Sequence, residues 1–287
     1  MAGVMLACGF ICWTNAAFGQ DTILLYGDTI RVGELEWDMQ KDWRARGTLI
    51  TENRELYGDH VRILLKYGRS RTVSEIAFGY LNRQEDFIQH GPARYYYESG
   101  RMLGRRTYVE GVQQGWSTDY FPDGKLKAKG LVRDGRLEGP FESYYQNGAR
   151  EIACHYAHDS LDGLYRAWYS NGQLHRIEHW SLDQKLGQDS IYYEDGKLEA
   201  VMPYDADQLH GVLKVFHRNG QPWTERVYEQ GRLMDVAYIQ SKEGRPLEIG
   251  TFHHGEGWVN LYNDKGLLTA RERYRDGLLV KSKKAKE

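Results

Sequence analysis

The chain has 287 residues, which is enough for one or two domains and a sizeable core. Its formal net charge is −2, from 38 Lys and Arg against 40 Asp and Glu, so we expect no nucleic acid partner and no electrostatic contact with an anionic membrane. There are 21 Tyr, 8 Trp and 32 Gly but only 6 Pro, a combination that favours many short strands joined by turns.

The segment from Met1 to Gly19 carries no charged side chain and forms a short apolar run that ends at Ala17-Phe18-Gly19. Small residues at the −3 and −1 positions are typical of a signal peptidase site. We therefore interpret residues 1–19 as a secretory signal peptide and expect a periplasmic or extracellular protein. No basic residue precedes the apolar run, so a buried first strand or a retained anchor stays open as an alternative.

Cleavage after Gly19 would remove Cys8 and Cys12 and leave Cys154 as the one thiol of the mature chain. An intramolecular disulfide is then excluded. Neighbours in a strand point to opposite faces, so His155 is poorly placed to activate Cys154 as a nucleophile. We interpret Cys154 as a small apolar filler.

A repeat with a period of twenty-four, shortened once to twenty-two, organises residues 91–280 into eight units. The units begin at Gly91, Gly115, Gly139, Gly163, Gly187, Gly211, Asp235 and Gly257. A second glycine follows nine residues after each start, at Gly100, Gly124, Gly148, Gly172, Gly196, Gly220, Gly244 and Gly266.

Aromatic rings recur at two further offsets of the repeat. The first ring column lies five residues after each start and comprises Tyr96, Tyr120, Tyr144, Trp168, Tyr192, Phe216 and Tyr262, with Gln240 as its exception. The second ring column lies seventeen positions after each start and comprises Tyr108, Tyr156, Trp180, Tyr204, Tyr228, Phe252 and Tyr274, with Val132 as its exception.

Asn or Asp often precedes the second glycine, and such pairs supply the positive φ angles of a tight hairpin turn. Each unit is therefore predicted to be a β-hairpin, and a second turn leads to the next one. One hairpin cannot bury its rings alone, so neighbouring units should stack their ring columns. The predicted fold is all-β: an open, single-layer antiparallel β-meander, elongated and twisted.

Two segments carry a family resemblance. Gly-Trp-Ser-Thr-Asp-Tyr-Phe-Pro-Asp-Gly-Lys-Leu from Gly115 and Gly-Leu-Tyr-Arg-Ala-Trp-Tyr-Ser-Asn-Gly-Gln-Leu from Gly163 resemble the MORN repeat in its bacterial variant form. The resemblance implies a ribbon of hairpins. It also implies a role as a scaffold, as a lipid-proximal or partner-binding module, or as a protein classed with toxin–antitoxin systems.

The segments on either side of the repeats do not follow the period. Residues 20–90 are predicted to form an N-terminal cap with strands at 23–26 and 48–50, a short helix at 34–46 and a degenerate repeat at 64–78. Residues 281–287 are predicted to form a basic, disordered tail, with anionic lipid or phosphate as an alternative contact.

No catalytic or metal-binding pattern is apparent, so we predict that the chain is not an enzyme and uses no cofactor. His155 and His179 occupy the same place in neighbouring units, roughly 10 Å apart along the ribbon, which is too far to share a metal. His253 and His254 are adjacent and should point in opposite directions. Asp159, Asp183 and Asp207 occupy turns, where Asp is favoured for its backbone hydrogen bonds.

The sequence leaves three hypotheses of function. A broad face rich in Tyr, Trp and Arg predicts a scaffold that binds a protein partner, with an immunity or antitoxin role as one form of this. A glycan or cell-wall binder would instead use exposed rings of the first ring column. The third, adhesion to a membrane surface, is disfavoured by the neutral charge. The rings could also serve only to hold the ribbon together.

Overall fold

The computed structural model describes residues 22–25, 28–31, 48–52, 62–67, 73–84 and 86–285, with side chains from residue 74 onward. Strands and turns account for the regular structure of these residues, and no helix of membrane-spanning length occurs among them. The predicted signal peptide at 1–19 and the predicted helix at 34–46 lie outside the described residues. By its contacts the chain divides into two compact units, Met1–Val112 and Gln113–Glu287.

The described strands of the first unit run from β1 to β7, and β8 lies at the boundary. They are β1 (Thr22–Leu25), β2 (Asp28–Arg31), β3 (Thr48–Glu52), β4 (Arg62–Tyr67), β5 (Val73–Leu81), β6 (Phe87–Tyr96), β7 (Met102–Val109) and β8 (Val112–Gln113). Strands β3 to β7 pair antiparallel in chain order, and β1 pairs with β2. Strands thus occur where 23–26 and 48–50 were predicted, except that residue 26 lies outside the described residues, and β4 and β5 pair at the predicted degenerate repeat.

The second unit consists of short strands in regular succession. They are β9 (Gly115–Tyr120), β10 (Leu126–Arg133), β11 (Arg136–Tyr144), β12 (Arg150–Ala157), β13 (Ser160–Leu161), β14 (Gly163–Trp168), β15 (Leu174–Ser181), β16 (Gln184–Lys185), β17 (Gly187–Tyr192), β18 (Leu198–Asp205), β19 (Gln208–Leu209), β20 (Gly211–Phe216), β21 (Pro222–Glu229), β22 (Arg232–Ile239), β23 (Gly257–Tyr262), β24 (Leu268–Arg275) and β25 (Leu278–Lys284). From β9 to β22 every pairing is antiparallel and joins segments that are near neighbours in the chain. The predicted all-β hairpin meander is therefore confirmed.

The hairpin tips are three-residue loops, as the tip of the β14–β15 hairpin shows. The amide of Gly172 donates to the carbonyl oxygen of Tyr169 at 2.9 Å, and the amide of Tyr169 donates to that of Gln173 at 2.8 Å. Gly172 has a φ of 86°, whereas Asn171 is not among the residues of positive φ. This is a type I turn followed by a left-handed glycine. The predicted pair of positive φ angles is thus wrong for the residue before the glycine.

The turns between hairpins carry the paired positive φ angles instead. In the turn between β15 and β16, Leu182 has a φ of 48° and Asp183 a φ of 66°. Ser181 pairs with Gln184 across these two residues, which is the geometry of a type I′ turn. The same pair of angles recurs at Asp134-Gly135, His158-Asp159, Ala206-Asp207 and Gln230-Gly231.

The glycine that starts a unit lies opposite a ring of the second ring column. Gly163 pairs with Trp180, and Gly187 pairs with Tyr204. Residues directly opposite each other share a face of the sheet, so the ring covers a position where the partner strand has no side chain. This pairing gives a physical reason for the fixed spacing between the starting glycine and the second ring column.

Buried side chains follow one face of the ribbon. Cys154, Ala167 and Ala200 are almost fully buried, as are the charged residues Glu178 and Asp189. Ala167 lies opposite Arg176 and next to Trp168, so by alternation the first ring column points to the other face. We call the face of Cys154 and Ala167 the inner face and the opposite one the outer face.

The shortened unit that begins at Asp235 departs from the repeat. Its first residues belong to β22, and the segment that follows forms only isolated bridges, such as Gly250 to Val259. A core cluster fills this end of the unit and joins strands β22, β23 and β24: Leu233, Val236, Ile239, Val259 and Tyr274. Side chains of β23 and β24 thus pack against those of β22 at this end.

Residues 281–284 do not form the predicted disordered tail. Strand β25 runs from Leu278 to Lys284 and pairs with β24, with Lys281 opposite Arg273 and Lys283 opposite Arg271. Every residue of β25 is exposed. The basic run therefore forms an edge strand, because the turn at Asp276 and Gly277 brings it back along β24.

Candidate interaction surface

The first ring column is half-buried. Trp168, Tyr192 and Phe216 lie at the ends of β14, β17 and β20, each next to a bulge in its strand pair. Tyr96 is the buried member at 7 % exposure, and none of the others is fully exposed or fully buried. The column therefore supports the hairpin tips and, apart from Tyr96, leaves part of each ring accessible on the outer face.

The glycines at the hairpin tips are structural. All eight have positive φ, and a β-carbon at Gly124, Gly148, Gly172 or Gly220 would meet no other atom. Backbone conformation and not space therefore selects glycine at these four tips.

The structure shows a third column of side chains that the sequence analysis did not predict. Tyr145, Tyr169 and Tyr193 follow the first ring column by one residue, and each hydroxyl donates to a backbone carbonyl of the next unit. The acceptors are the carbonyl oxygens of Trp168, Tyr192 and Phe216, at 2.8, 2.8 and 2.7 Å. His217 continues the column, with Nε2 3.0 Å from the carbonyl oxygen of Gln240. The recurrence of Tyr at this offset is the signal that could have revealed it.

The aspartates in the turns between hairpins form hydrogen bonds to the preceding unit. Oδ1 of Asp183 accepts the amide of Leu161 at 2.7 Å, and the amide of Asp183 donates to the carbonyl oxygen of Leu161 at 2.9 Å. Asp159 and Asp207 make the same pair of bonds to Leu137 and Lys185. The interpretation of these carboxylates as turn residues is confirmed, because each accepts a backbone amide.

One stretch of the outer face combines rings with charges across three units. We call it the outer strip: Trp116, Lys129, Glu142, Tyr144, Arg150 and Trp168. Lys129 pairs with Glu142 at 2.9 Å, and Arg150 reaches the same carboxylate at 3.5 Å. Nζ of Lys129 lies 5.9 Å from the ring centroid of Trp116, and the guanidinium of Arg150 lies 5.3 Å from that of Trp168.

Glu142 is the centre of the outer strip. The hydroxyl of Tyr144 donates to it at 2.5 Å, and with the cation of Lys129 this bond lowers the pKa of the carboxyl group. Trp116, at one end, is 50 % exposed, which is high for a tryptophan. Hydrogen bonds and ion pairs thus hold the charged side chains in place while one large ring stays accessible.

A second polar cluster interrupts the inner face. Nζ of Lys185 lies 2.9 Å from Glu178 and 2.8 Å from Asp189, and it lies over the rings of Trp180 and Tyr204 at 5.2 and 5.0 Å. Burial lowers the pKa of Lys185, but its bonds to the two carboxylates outweigh burial and raise the pKa overall. The group therefore stays charged at neutral pH. We call Glu178, Lys185 and Asp189 the inner triad.

The structure does not place Cys154 and His155 as a nucleophile and its base. Cys154 is buried and burial raises the pKa of its thiol to about 11, while His155 is exposed. The rings of His253 and His254 lie 4.0 Å apart, so the predicted opposite directions are wrong; His254 lies in a turn with positive φ, where strand alternation does not apply. No group of three or more His, Cys, Asp or Glu in the described part of the chain could hold a metal ion.

Stacked hairpins and the hydrogen-bonded turns between them define a β-hairpin repeat scaffold. The model of the MORN repeat variant matches residues 89–110, 161–181, 190–206 and 209–230. These four matched segments are therefore MORN repeat variants, as the resemblance predicted. No curated protein matches the chain significantly.

Proposed function

We propose that this scaffold is non-catalytic and binds a protein partner through the outer strip. One observation carries the proposal: Trp116, half exposed, stands at the end of a continuous chain of contacts that reaches Trp168 through Lys129, Glu142 and Arg150. Trp, Tyr and Arg are the residues most enriched where binding energy concentrates in protein interfaces. Fixing charged side chains before binding lowers the entropy that association costs.

The geometry favours a protein over a glycan. Sugar stacking needs open ring faces, but no ring of the first ring column is fully exposed and the ring of Trp168 already lies under Arg150. Of the rings in the outer strip, only that of Trp116 is half exposed to solvent. A surface of mixed rings and paired charges suits a partner with its own charged and apolar side chains.

A photo-crosslinking residue at position 116 tests the proposal directly. We expect it to capture one protein from an envelope extract, and the purified partner to bind the chain in a stoichiometric complex. Trp116→Ala and Arg150→Ala should each weaken this complex at least roughly tenfold, the effect of an interface anchor. Val212→Ala is the matched control, because Val212 occupies the same repeat position and is 40 % exposed. Circular dichroism should show all three variants folded.

Two results would overturn the proposal. One is a partner whose affinity is the same for Trp116→Ala and for the unchanged chain. The other is capture of peptidoglycan or another polysaccharide in a sedimentation assay, with no protein captured. A captured toxin, whose activity the chain suppresses, would extend the proposal to an immunity role.

Export is the second part of the proposal, and it rests on the apolar run of residues 1–19. We propose that the mature chain begins at Gln20 and acts in the periplasm or outside the cell. Cell fractionation with N-terminal sequencing would show this residue first in the exported protein. A full-length chain found in the cytoplasm would contradict it.

A further inference from the structure

The sheet of β23, β24 and β25 has one cationic face. Arg271 lies opposite Lys283, and Arg273 lies opposite Lys281, so these four side chains share a face of the sheet. Arg273 also lies opposite Trp258, and Nζ of Lys283 is 5.5 Å from the centroid of that ring. In the part of the chain that the structure describes, no ion pair engages any of the four. Cations without carboxylate partners raise the local positive potential.

This charge contrasts with the rest of the chain. Residues 257–285 contain seven Lys or Arg and three Asp or Glu, a net charge of +4, whereas the whole chain has −2. The opposite face of the same sheet contributes Val259 and Tyr274 to the buried core cluster. Arg271, Arg273, Lys281 and Lys283 are all exposed, so the four cations are accessible within their unit.

Strand β25 also has a free edge. Its register joins it to β24 alone, so along its other side the backbone amides and carbonyls have no strand partner within the described part of the second unit. Leu278, Leu279 and Val280 are 49, 53 and 53 % exposed. An exposed edge with apolar side chains is a template for another strand.

Lysines on an edge strand usually prevent pairing with other edges. Here we expect them to restrict pairing to strands of opposite charge. Two β25 edges from two copies of this chain would bring Lys281 and Lys283 close to the same residues of the other copy. Like charges directly opposite each other destabilise a strand pair, so a second copy is a poor occupant. A strand that carries carboxylates would instead place them beside Arg271, Arg273, Lys281 and Lys283.

We propose that the edge of β25 binds an extended acidic segment of a protein, which adds to the sheet as a further strand. The backbone groups of β25 would supply the hydrogen bonds, and the cationic face would select the charge of the added strand. This site lies on the terminal sheet and is independent of the outer strip.

A synthetic peptide of alternating Glu and Val is a suitable probe, because alternation places all Glu side chains on one face of a strand. We expect the full chain to bind this peptide and not its Lys–Val counterpart. Lys281→Glu with Lys283→Glu should lower the affinity for the Glu–Val peptide roughly tenfold or more, since charge matching across the site is reversed. Lys265→Glu is the matched control, because Lys265 is an exposed cation at the tip of the same sheet.

Amide hydrogen exchange separates strand addition from simple charge attraction. Binding of the Glu–Val peptide should slow exchange of amides in β25, whereas attraction to the cationic face alone would leave them unprotected. The proposal is overturned by equal affinity for the two peptides, by unchanged exchange in β25, or by an unaffected double variant. Binding to phosphatidylglycerol vesicles without peptide binding, or dimers of this chain in sedimentation, would overturn it in favour of a lipid surface or a second copy.

Discussion

Nζ of Lys185 lies 2.8 Å from Oδ2 of Asp189, a carboxylate that is 1 % exposed. Glu178 accepts a second bond from the same ammonium group at 2.9 Å. At the same three repeat positions in the next unit the sequence has Met202, Leu209 and Leu213. The charged set of side chains is therefore replaced by an apolar set one repeat further along the chain.

Removing the cation of the inner triad should destabilise the fold strongly. Lys185→Met leaves the carboxylates of Glu178 and Asp189 buried without their ammonium partner, and breaking a buried pair in this way costs about 3–5 kcal/mol. Urea denaturation followed by circular dichroism measures the change. Lys197→Met is the exposed control: Lys197 is 53 % exposed beside Asp195, so its loss should cost less than about 1 kcal/mol.

A triple variant is the buried control for the same experiment. Glu178→Met, Lys185→Leu and Asp189→Leu together give the inner triad the residues of the next unit and remove all of its charges with their desolvation cost. Such replacements are often neutral or stabilising, so the triple variant should recover most of the stability that Lys185→Met loses. A triple variant as unstable as the single one would show that packing and not charge decides stability there.

Tyr169→Phe tests the hydrogen-bond ladder between units. The variant loses the 2.8 Å bond to the carbonyl oxygen of Tyr192 but keeps the ring, so the free energy of unfolding should fall by about 1 kcal/mol. Tyr192→Phe is the matched control, because no hydrogen bond of the Tyr192 hydroxyl occurs among the described residues. Equal effects of the two variants would contradict a role for the ladder.

Replacing Asp183 by alanine should destabilise the protein more than replacing it by glycine. At a φ of 66° alanine has the steric penalty of the left-handed region, and it also lacks the oxygen that accepts the amide of Leu161. Asp183→Ala should cost about 1–2 kcal/mol, and Asp183→Gly should cost less because glycine adopts this conformation freely. Thermal unfolding of both variants gives the order. An alanine variant as stable as the glycine variant would refute the argument.

The stability that the Glu142 carboxylate contributes to the fold should be lost in acid. The pKa of Glu142 is lowered in the folded chain by the bond from Tyr144 and by Lys129, so this carboxylate stabilises the fold above its unfolded pKa. Its contribution is lost as the pH falls through the lowered, folded pKa. Unfolding of the unchanged chain and of Glu142→Gln, compared across about pH 3 to 7, should give curves that converge at the acid end. A constant difference at every pH would count against this assignment.

Cys154 should be inert in the native protein. Burial raises the pKa of its thiol to about 11, so very little reactive thiolate exists near neutral pH. An Ellman assay near neutral pH should detect almost no thiol until denaturant exposes Cys154. Rapid modification of the folded chain would instead place this residue in an accessible site.

Much of the fold could be predicted from the sequence because the repeat is local. The glycine that starts most units and the ring of the second column have their physical reasons within one hairpin, as Gly163 and Trp180 show. The sequence predicts paired positive φ angles at the hairpin tips, but the structure has them in the turns between hairpins. Asn-Gly fits both a type I′ turn and the bulged type I turn seen at Asn171 and Gly172. Sequence spacing alone cannot separate the two.

Contacts between units were harder to predict. The bond from Tyr145 to the carbonyl of Trp168 joins neighbouring units, and the ion pairs of Lys185 depend on the side chains that surround it. The structure of residues 281–284 depended on a turn whose return path places them along β24. A basic composition by itself is equally typical of a disordered tail and of an edge strand whose lysines prevent unwanted pairing.

Backbone preferences and strand alternation act over a few residues, so the order of amino acids was enough to specify the hairpin, its length and the positions of its glycines and rings. The face that each ring occupies, the charges that meet at Glu142 and Lys185, and the strand edge that stays free became known from the folded chain. Those outcomes depend on side chains of neighbouring units at distances of a few ångströms, and such contacts leave no fixed spacing in a single sequence.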